Sequence, residues 1–561
     1  MSALIECVPN FSEGRDPEVL RKITARIETI EGVTLLHVDA GKATNRTVVT
    51  FAGPPDAVVE AAFRAIATAA ELIDMTRHRG EHPRMGATDV CPLVPISGIT
   101  LQETAGYARR LAERVGRELG IPVYLYEAAQ PDPARRNLAE IRAGEYEGLP
   151  RKLADPAWKP DFGPASFVPR SGATVIGARG LLVAFNVNLN TTSTRRANAV
   201  AFDVRESGRP MRKGDPLTGP IELDAQGNPV MIPGTLKAVK AIGWYIAEYG
   251  IAQVSMNLTD LAVTPLHAAF EETRRAAEAR GLRVTGSELV GLVPLSAMLD
   301  AGRYFLAKQQ RSLGVSEAEL VQIAVRSLGL SELKPFIPEE RIIEYRLRDP
   351  EAHRLARLTL EQFVNETASE SVAPGGGSTA ALIGALGAAL GSMVANLSAH
   401  KRGWDSRWAE FSRWAEEGQR LKERLLQLVD DDARAFGRVM AAIGMAKATE
   451  EEKAARRAAL AEAYLGALLV PWEVMRTAHS AFPLLRAMAE QGNPASASDA
   501  GVGALSIRTA VRGAWLNVRT NAGSVKDAKE LASILEEGAR IEREAAQHEA
   551  EILAIVEQRL R

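Results

Sequence analysis

The chain has 561 residues, with 68 lysines and arginines against 70 aspartates and glutamates and a formal charge of −2 at pH 7. That length exceeds one hydrophobic core and implies roughly two to four domains. The near-neutral balance excludes a chain-wide basic surface, so no nucleic-acid or membrane partner is expected. The two cysteines, Cys7 and Cys91, exclude a disulfide framework and a cysteine zinc site. Both sit in apolar strand-like runs as buried free thiols, which favours a reducing, cytoplasmic setting. The opening MSALIECVPNFSEGR has no basic segment followed by an apolar core, so no signal peptide is expected.

Apolar runs and helical patterns alternate from the start: a strand over 3–9, a helix over 16–30, strands over 33–40 and 45–53, a helix over 55–74 and a strand over 89–97. This β-α-β-β-α-β order is the split, ferredoxin-like arrangement, a sheet backed by helices on one face. A helix over 100–120 and a strand over 121–127 extend it; residues 128–180, rich in proline, glycine and charge, read as a long connecting or functional loop. The order recurs in a strand over 181–188, a helix over 194–207, hairpin strands near 238–247 and 251–259, a helix over 264–280 and a strand over 282–290. Two α/β (α+β, ferredoxin-like βαββαβ) subdomains, 1–180 and 181–330, are therefore expected, with a ligand cleft between them. A charged, proline-containing linker over 331–357 leads to residues 358–561, where Ala, Leu, Glu and Arg at helical spacing predict an all-α helical bundle. Residues 371–399 carry no charged side chain, but Gly, Ala, Ser and Thr dominate, which favours a buried helix over a membrane span.

The loop RHRGEHPRMGATDV, residues 77–90, gathers the most proton-transfer chemistry. His78, Glu81 and His82 spell H-x-x-E-H, a zinc-hydrolase pattern, yet Gly80 interrupts a helix there and Pro83 biases His82 away from the α region. No metal is expected; the alternatives are a histidine general base on a rigid loop and a salt-bridging loop. Asp39, ending one strand, suits either orientation of an imidazole or a turn. Asn186, Asn188 and Asn190 alternate with apolar residues and share one sheet face, lining a cleft or facing water. GPASFVPRSGATVIG, residues 163–177, offers backbone donors for a flat heterocycle or a carboxylate, or serves as a linker.

In the second half, PGGGST (374–379) precedes an Ala-rich helix; it lacks the lysine of a nucleotide-binding loop, and its glycine amides suit an anion. Gly384, Gly387 and Gly391 suit close helix packing. In LLQLVDDDARAFGRVM (425–440) an apolar stripe runs through Leu425, Val429, position 432, Phe436 and Val439. Asp430 pairs with Arg434 at i,i+4 and Asp431 lies on a flank, both as surface charges. Asp432 lies on the stripe itself, where desolvation and two acidic neighbours predict a raised pKa and a general acid; the structural alternative is a partly buried charge at a helix N-terminus. Asn493, Ser498 and Asp499 read as a helix-capping loop.

VPNFSEGR (8–15), DAGKATNRTV (39–48), RGEHPRMGATDVCP (79–92), the run of Gly163, Pro164, Pro169 and Gly172, and FNVNLNT (185–191) together resemble the transferase half of the formimidoyltransferase-cyclodeaminase family. PGGGSTAA (374–381) and LVDDDARAF (428–436) resemble its cyclodeaminase half, a segment shared in style with methenyltetrahydrofolate cyclohydrolases. The resemblance implies a bifunctional enzyme of histidine degradation. It would move a formimino group from N-formimino-L-glutamate to N5 of the co-substrate tetrahydrofolate, then close the ring to 5,10-methenyltetrahydrofolate with loss of ammonia. By motif, the transferase histidine maps onto His82 and the cyclodeaminase aspartate onto Asp432. The folate-binding run maps onto Gly163, Pro164, Ala165, Ser166, Phe167, Val168, Pro169, Arg170, Ser171 and Gly172, with Asn188 and Asn190 as further contacts from the sheet stripe and Asp39 beside the histidine. The family implies a ring-like homo-oligomer and (poly)glutamylated folate as substrate. Three other readings stand beside this one: a cyclohydrolase in the C-terminal domain, a zinc hydrolase using residues 78–82, and a non-catalytic folate-binding scaffold.

Overall fold

Strands whose alternate residues face opposite sides of a sheet organise the first part of the chain. The computed structural model describes residues 3–41, 44–80, 83–214, 219–348, 354–525 and 528–561, with side chains of the last stretch from 531 onward. The chain divides into two units, Met1–Asp300 with Leu328–Leu347, and Ala301–Ser327 with Arg348–Arg561.

In the first unit, β1 (Leu4–Cys7), β2 (Asn10–Phe11), α1 (Pro17–Glu28), β3 (Thr34–Gly41), β4 (Arg46–Gly53), α2 (Pro55–Leu72) and β5 (Thr88–Ser97) are followed by α3 (Leu101–Glu118), β6 (Val123–Glu127), α4 (Leu138–Arg142), α5 (Glu145–Ala154) and β7 (Thr174–Ala178). β4 lies between β3 and β1, β5 pairs antiparallel with β1 and β2, and β7 runs parallel between β5 and β6. The expected loop 128–180 thus holds two short helices and a sheet strand. Thr174–Ala178 is only 5 residues long, and its proline- and glycine-rich flanks mask it from a periodicity reading.

One face of this sheet is the core: Ile5, Cys7, Phe51, Leu93 and Ile176 pack on Ile27 of α1, Ile66 of α2 and Leu111 and Val115 of α3. A capping box starts α3, Glu103 N–H donating to Thr100 Oγ1 at 3.2 Å and Thr100 N–H to the Glu103 carboxylate at 2.8 Å. On the other face, Ile141, Leu149 and Leu153 cover Val90, Tyr124 and Val175. Cross-strand partners put Glu6 with Ala52, His37 with Thr50 and Asp39 with Val48 on that second face. Glu6, His37, Asp39, Val48 and Thr50 wall a cavity.

The second sheet comprises β8 (Val183–Leu189), β11 (Val239–Ile246), β12 (Ile251–Leu258) and β13 (Val284–Val290), in the antiparallel order β11-β12-β8-β13. Phe185, Val187 and Leu189 are buried on the side of α6 (Thr194–Val204) and α7 (Leu266–Glu278), while β9 (Arg209–Pro210) and β10 (Met231–Ile232) form a separate pair. Residues Leu328–Leu347 fold onto this unit through α10 (Pro338–Arg341) and α11 (Ile343–Arg346). Ser287 Oγ donates to Leu328 O at 2.6 Å, Val293 N–H to Arg341 O at 2.9 Å, and Ile342 and Ile343 are buried. Much of the segment 331–357 is therefore anchored structure: its charges advertise solvent, but the adjacent isoleucines supply an apolar foot.

The second unit takes in most of α8 (Leu295–Lys308) and α9 (Glu317–Leu328) together with α12 (Leu360–Thr367), α13 (Gly376–Ala399), α14 (Trp408–Gly444), α15 (Glu450–His479), α16 (Phe482–Gln491), α17 (Ala497–Ala522) and α18 (Ala528–Arg559). The link between α8 and α9 is held by Leu313 N–H donating to Ser412 Oγ at 2.9 Å and Asn396 Nδ2 to Gly314 O at 2.8 Å. α13 and the span Glu450–Gln491 are long and apolar enough to cross a membrane by length and composition alone. α13 nonetheless contributes Ala381, Ala385, Ala388, Val394 and Ala395 to the helical core. At Gly387 a Cβ would meet Gly503 O of α17 at 3.0 Å, so glycine sets how closely these helices approach.

Phe411 is fully buried in the helical core and stacks on Trp404 at 5.5 Å. Phe411→Ala is expected to cost about 3–5 kcal/mol. Hydrogen exchange should show lost protection in α13 and α14 while the amides of β1, β4 and β5 keep theirs.

Candidate functional site

Three of the five first-half motifs meet around one asparagine. Asn45 sits at φ 47°, a left-handed conformation that asparagine tolerates, in the turn between β3 and β4. Its Oδ1 accepts Gly14 N–H at 3.0 Å, its Nδ2 donates to Arg79 O at 3.0 Å, and its own carbonyl lies 2.9 Å from His78 Nε2. Ser12 Oγ donates to Gly86 O at 2.7 Å. Arg84 Nε donates to His78 Nδ1 at 3.2 Å, so Nδ1 is the acceptor and Nε2 carries the proton. His78 is thus a neutral, doubly bonded ring whose pKa burial holds below its ordinary value. Glu81 and His82 lie outside the described residues, between His78 and a fixed Arg84 that also binds Glu145 and Glu147 at 3.2 and 2.7 Å.

The 163–172 run is bound to the same loop. Gly163 and Gly172 adopt φ of 80° and 67°. Met75 N–H donates to Arg170 O at 3.0 Å, Ala87 N–H to Ser171 O at 2.8 Å, and Tyr146 Oη to Pro169 O at 2.6 Å, with Tyr146 5.5 Å from the Phe167 ring.

A cavity of about 460 Å³ opens on the second face of the first sheet, walled by Glu6, Asn10, His37, Asp39, Arg46, Thr50, Tyr126, Arg142 and Arg179 and closed by Ala184, Asn257 and Gly291. Three guanidinium groups stand on this wall, side chains of the kind that pairs with carboxylates. Arg142 is held by Asp89, which is buried and also accepts Met85 N–H at 3.1 Å. Burial lowers the Arg46 guanidinium to about 10, opposed by the negative charge of Asp89. Burial likewise lowers the half-buried His37, while Asp39 on the same face favours its charged form. Burial pushes the Glu6 carboxyl up from its ordinary 4.5 to about 7, against the pull of Arg179 and with the push of Glu344.

Of the residues singled out from sequence, Asp39 is on the cavity wall, while Asn186 and Asn188 are bonded to other protein side chains. Asn186 Nδ2 donates to Glu288 at 3.3 Å and Asn188 Nδ2 to Glu332 at 2.6 Å, and Asn188 Oδ1 accepts Gln253 Nε2 at 2.8 Å. Asn190 Oδ1 accepts Arg283 N–H at 2.7 Å. Glu6, His37, Arg142 and Arg179 went unnoticed in the sequence. The available signal was an acidic residue inside an apolar strand, and a His-x-Asp pair whose spacing shares a face.

The second unit has its own site. Asp432, on α14, caps the start of α13: Ser378 N–H and Oγ both donate to Oδ2, at 2.7 and 2.9 Å. The acceptor at the PGGGST helix start is the protein's own carboxyl group. A Cβ at Gly377 would overlap that carboxyl, and Asn517 of α17 stands over Gly376. Burial raises the Asp432 pKa although both Ser378 bonds lower it, and no neighbouring acid contributes. The raised acid expected from the sequence therefore owes its shift to desolvation alone.

Asp430 departs from its expected surface pairing. It is 3% exposed, and its two oxygens accept Leu355 N–H at 2.8 Å and Ala356 N–H at 3.1 Å. Arg434 pairs with Asp431 instead. The apolar stripe turns at Ala435, leaving Phe436 45% exposed. Asn493 caps a short turn, its Oδ1 accepting Ala495 N–H at 3.3 Å. Among the described residues no group of three or more His, Cys, Asp or Glu is placed to hold a metal ion. Cys7 and Cys91 are buried free thiols with sulfurs 3.4 Å apart.

Two outcomes follow from this geometry. Glu6 has a folded-state pKa above its unfolded value, so its ionisation opposes folding, and stability falls as pH rises from 4.5 through about 7. Glu6→Gln should be more stable than wild type by about 1–3 kcal/mol at pH 8 and nearly equal at pH 5, measured by denaturant melts. Gly377→Ala should destabilise the helical unit by about 1–3 kcal/mol through overpacking against Asp432, read as a lower midpoint by circular dichroism.

Family models match three stretches of the chain: the formiminotransferase domain, N-terminal subdomain, over residues 4–179; the formiminotransferase domain over 184–348; and formiminotransferase-cyclodeaminase over 359–540. The chain is 45% identical over 529 residues to a formimidoyltransferase-cyclodeaminase of Mus musculus, covering 94% of each. It is 42% identical over 306 residues to a glutamate formimidoyltransferase of Streptococcus pyogenes serotype M1, covering 54% of this chain and 94% of that one. Over 186 residues it is 41% identical to a methenyltetrahydrofolate cyclohydrolase of Methylorubrum extorquens, covering 32% of this chain and 89% of that one. With all three segments matched and the likeness extending along nearly its whole length, the chain belongs to the formimidoyltransferase-cyclodeaminase family.

Proposed function

We propose that the chain performs two consecutive folate reactions: transfer of the formimino group from N-formimino-L-glutamate to N5 of tetrahydrofolate, releasing glutamate, and cyclisation of the product to 5,10-methenyltetrahydrofolate, releasing ammonia. The observation that carries the first step is the cavity lined by Arg46, Arg142 and Arg179, which suits a donor with two carboxylates. N5 loses a proton as it attacks the amidine carbon, and an imidazole is the side chain fitted to accept it near neutral pH. His82 is the proposed base and Asp39 the carboxylate that orients an imidazole. Residues 163–172 are the proposed folate run, for their loop is fastened to the strand segment that follows His82. Asn188 and Asn190 hold protein partners and receive no role.

The second step needs an acid to protonate the departing nitrogen. Asp432 is the proposed donor: Oδ2 is taken by two Ser378 donors, which leaves Oδ1 to carry the proton. A second reading of the helical unit is methenyltetrahydrofolate cyclohydrolase, favoured by its likeness to the Methylorubrum enzyme. Ring hydrolysis without an amidine nitrogen would then be its reaction.

The two sheets are proposed to be ferredoxin-like βαββαβ units, supported by the strand orders β3-β4-β1-β5 and β11-β12-β8-β13. The functional halves are proposed to divide between residues 348 and 358. A cytoplasmic homo-oligomer is proposed as the working form; exposed Leu386, Met393 and Leu397 of α13, beside Val502 and Leu505 of α17, support an association surface.

With tetrahydrofolate and formimino-glutamate supplied, wild type should release glutamate and ammonia in equal amounts. His82→Ala should slow glutamate release about 10²–10⁴-fold and leave cyclisation of added 5-formiminotetrahydrofolate intact. Asp432→Asn should do the reverse, assayed by ammonia release and methenyl absorbance; both variants blocking the same step would refute two sites. Ammonia release in wild type should decline as pH rises through the raised Asp432 pKa. Stoichiometric zinc, with activity abolished by chelators, would establish the hydrolase reading in place of this one.

A further inference from the structure

Glu6 is a buried acid that no described residue satisfies. Strand pairing with Ala52 of β4 and Val94 of β5 fixes it mid-sheet, with its side chain on the cavity wall. It is 4% exposed, yet among the described residues nothing donates a hydrogen bond to it or forms an ion pair with it. Every comparable acid has donors: Asp89 holds Arg142 and Met85 N–H, Asp430 two backbone N–H groups, and Asp432 Ser378. On the same wall, Asn10 Oδ1 is a second buried acceptor without a donor. The charges acting on Glu6 are Arg179 and Glu344, and His37, Asp39, Arg46 and Arg142 lie further round the wall. Two vacant acceptors in a cavity otherwise supplied with guanidinium donors call for a ligand that brings its own N–H groups.

A carboxylate presents two oxygens in a plane, the complement of a planar carbon bearing two parallel N–H donors. Each substrate of the transfer reaction has one such unit: the amidine of the formimino donor, and the 2-amino, N3–H edge of the reduced pterin. We infer that Glu6 is a recognition carboxylate that accepts a planar N–C–N donor fork from substrate. The inference rests on the transferase reading of this cavity and adds a residue to it. Arg46, Arg142 and Arg179 would select carboxylates, and Glu6 the nitrogen fork at the other end of the ligand. An ester or amide lacking the second N–H would leave one oxygen of a buried carboxylate bare, so the residue discriminates against such analogues.

Glu6→Gln keeps the shape and replaces one acceptor with a donor that opposes one N–H of the fork. Dissociation constants for tetrahydrofolate and for formimino-glutamate are measured separately by calorimetry on the full-length protein, alongside KM and kcat. One of the two should weaken by about tenfold to hundredfold, the other staying within twofold; weakening of tetrahydrofolate identifies the pterin edge, and of formimino-glutamate the amidine. Both constants within twofold of wild type, or both weakened alike, would overturn the inference. Glu6→Asp, which keeps the charge and withdraws it by one methylene, should fall between wild type and Glu6→Gln for the same substrate only. Failure of the transferase reading itself is visible separately: wild type would release no glutamate, whatever Glu6→Gln does to tetrahydrofolate binding.

Discussion

A carboxyl group withdrawn from water must be given donors or kept protonated, and the architecture of this chain turns on how four such groups are treated. Asp89 receives a guanidinium and a backbone N–H, which fixes Arg142 on the cavity wall and the backbone at Met85 just after the histidine loop. Asp430 receives two consecutive backbone N–H groups from residues 355 and 356, tying the start of the helical segment to α14. Asp432, two residues on, receives the first turn of α13. In each case the acid joins segments far apart in sequence, and removing one partner would strand the other, which costs more than the bond contributes. Glu6 alone has no such partner among the described residues, and it is the one on the wall of the cavity that carries Arg46, Arg142 and Arg179.

The same logic explains why short motifs carry so much of the first unit. Asn45 satisfies Gly14, Arg79 and His78 at once, so the segments 8–15, 39–48 and 79–92 are recognisable because they are mutually bonded loops rather than because each is catalytic. Loops of this kind have few apolar contacts to hold them; their positions come from backbone hydrogen bonds, which tolerate little substitution in the residues supplying them. The described residues nearest position 82 are held on both sides: His78 is bonded at both ring nitrogens and Arg84 to two glutamates. For the base proposed at position 82, fixed neighbours on each side favour meeting a proton at a fixed place.

Much of this was legible in the sequence and some was not, for identifiable reasons. The strands over 33–40, 45–53 and 89–97 and the helices of the first unit emerge near their expected bounds because one face of each is continuously apolar. β7 was hidden because a 5-residue strand buried on both faces has no alternation to read. Asp430 was misplaced because i,i+4 pairing with Arg434 is a local rule, whereas its actual partners lie 74 and 75 residues away. Asp432 was found because a carboxylate on an apolar stripe conflicts with its surroundings at any level of description. Glu6 offers the same conflict in a strand of four residues, too short for the pattern to stand out.

Burial acts on Glu6 and Asp432 in the same direction but with different consequences. Asp432 has its acidity partly restored by two Ser378 donors at a helix start, and burial still holds its pKa above the ordinary value, with Oδ1 outside those two bonds. In the proposed cyclisation those two bonds leave Oδ1 to hold the proton, and so set the direction in which it is delivered. Glu6 lacks that help, and its carboxyl rests near neutrality, ready to ionise once a ligand brings donors. A buried acid with fixed donors has its chemistry set by the fold; a buried acid without them has its chemistry set by whatever binds. The first suits a group that must act on the reacting atoms, and the second a group that must tell one ligand from another.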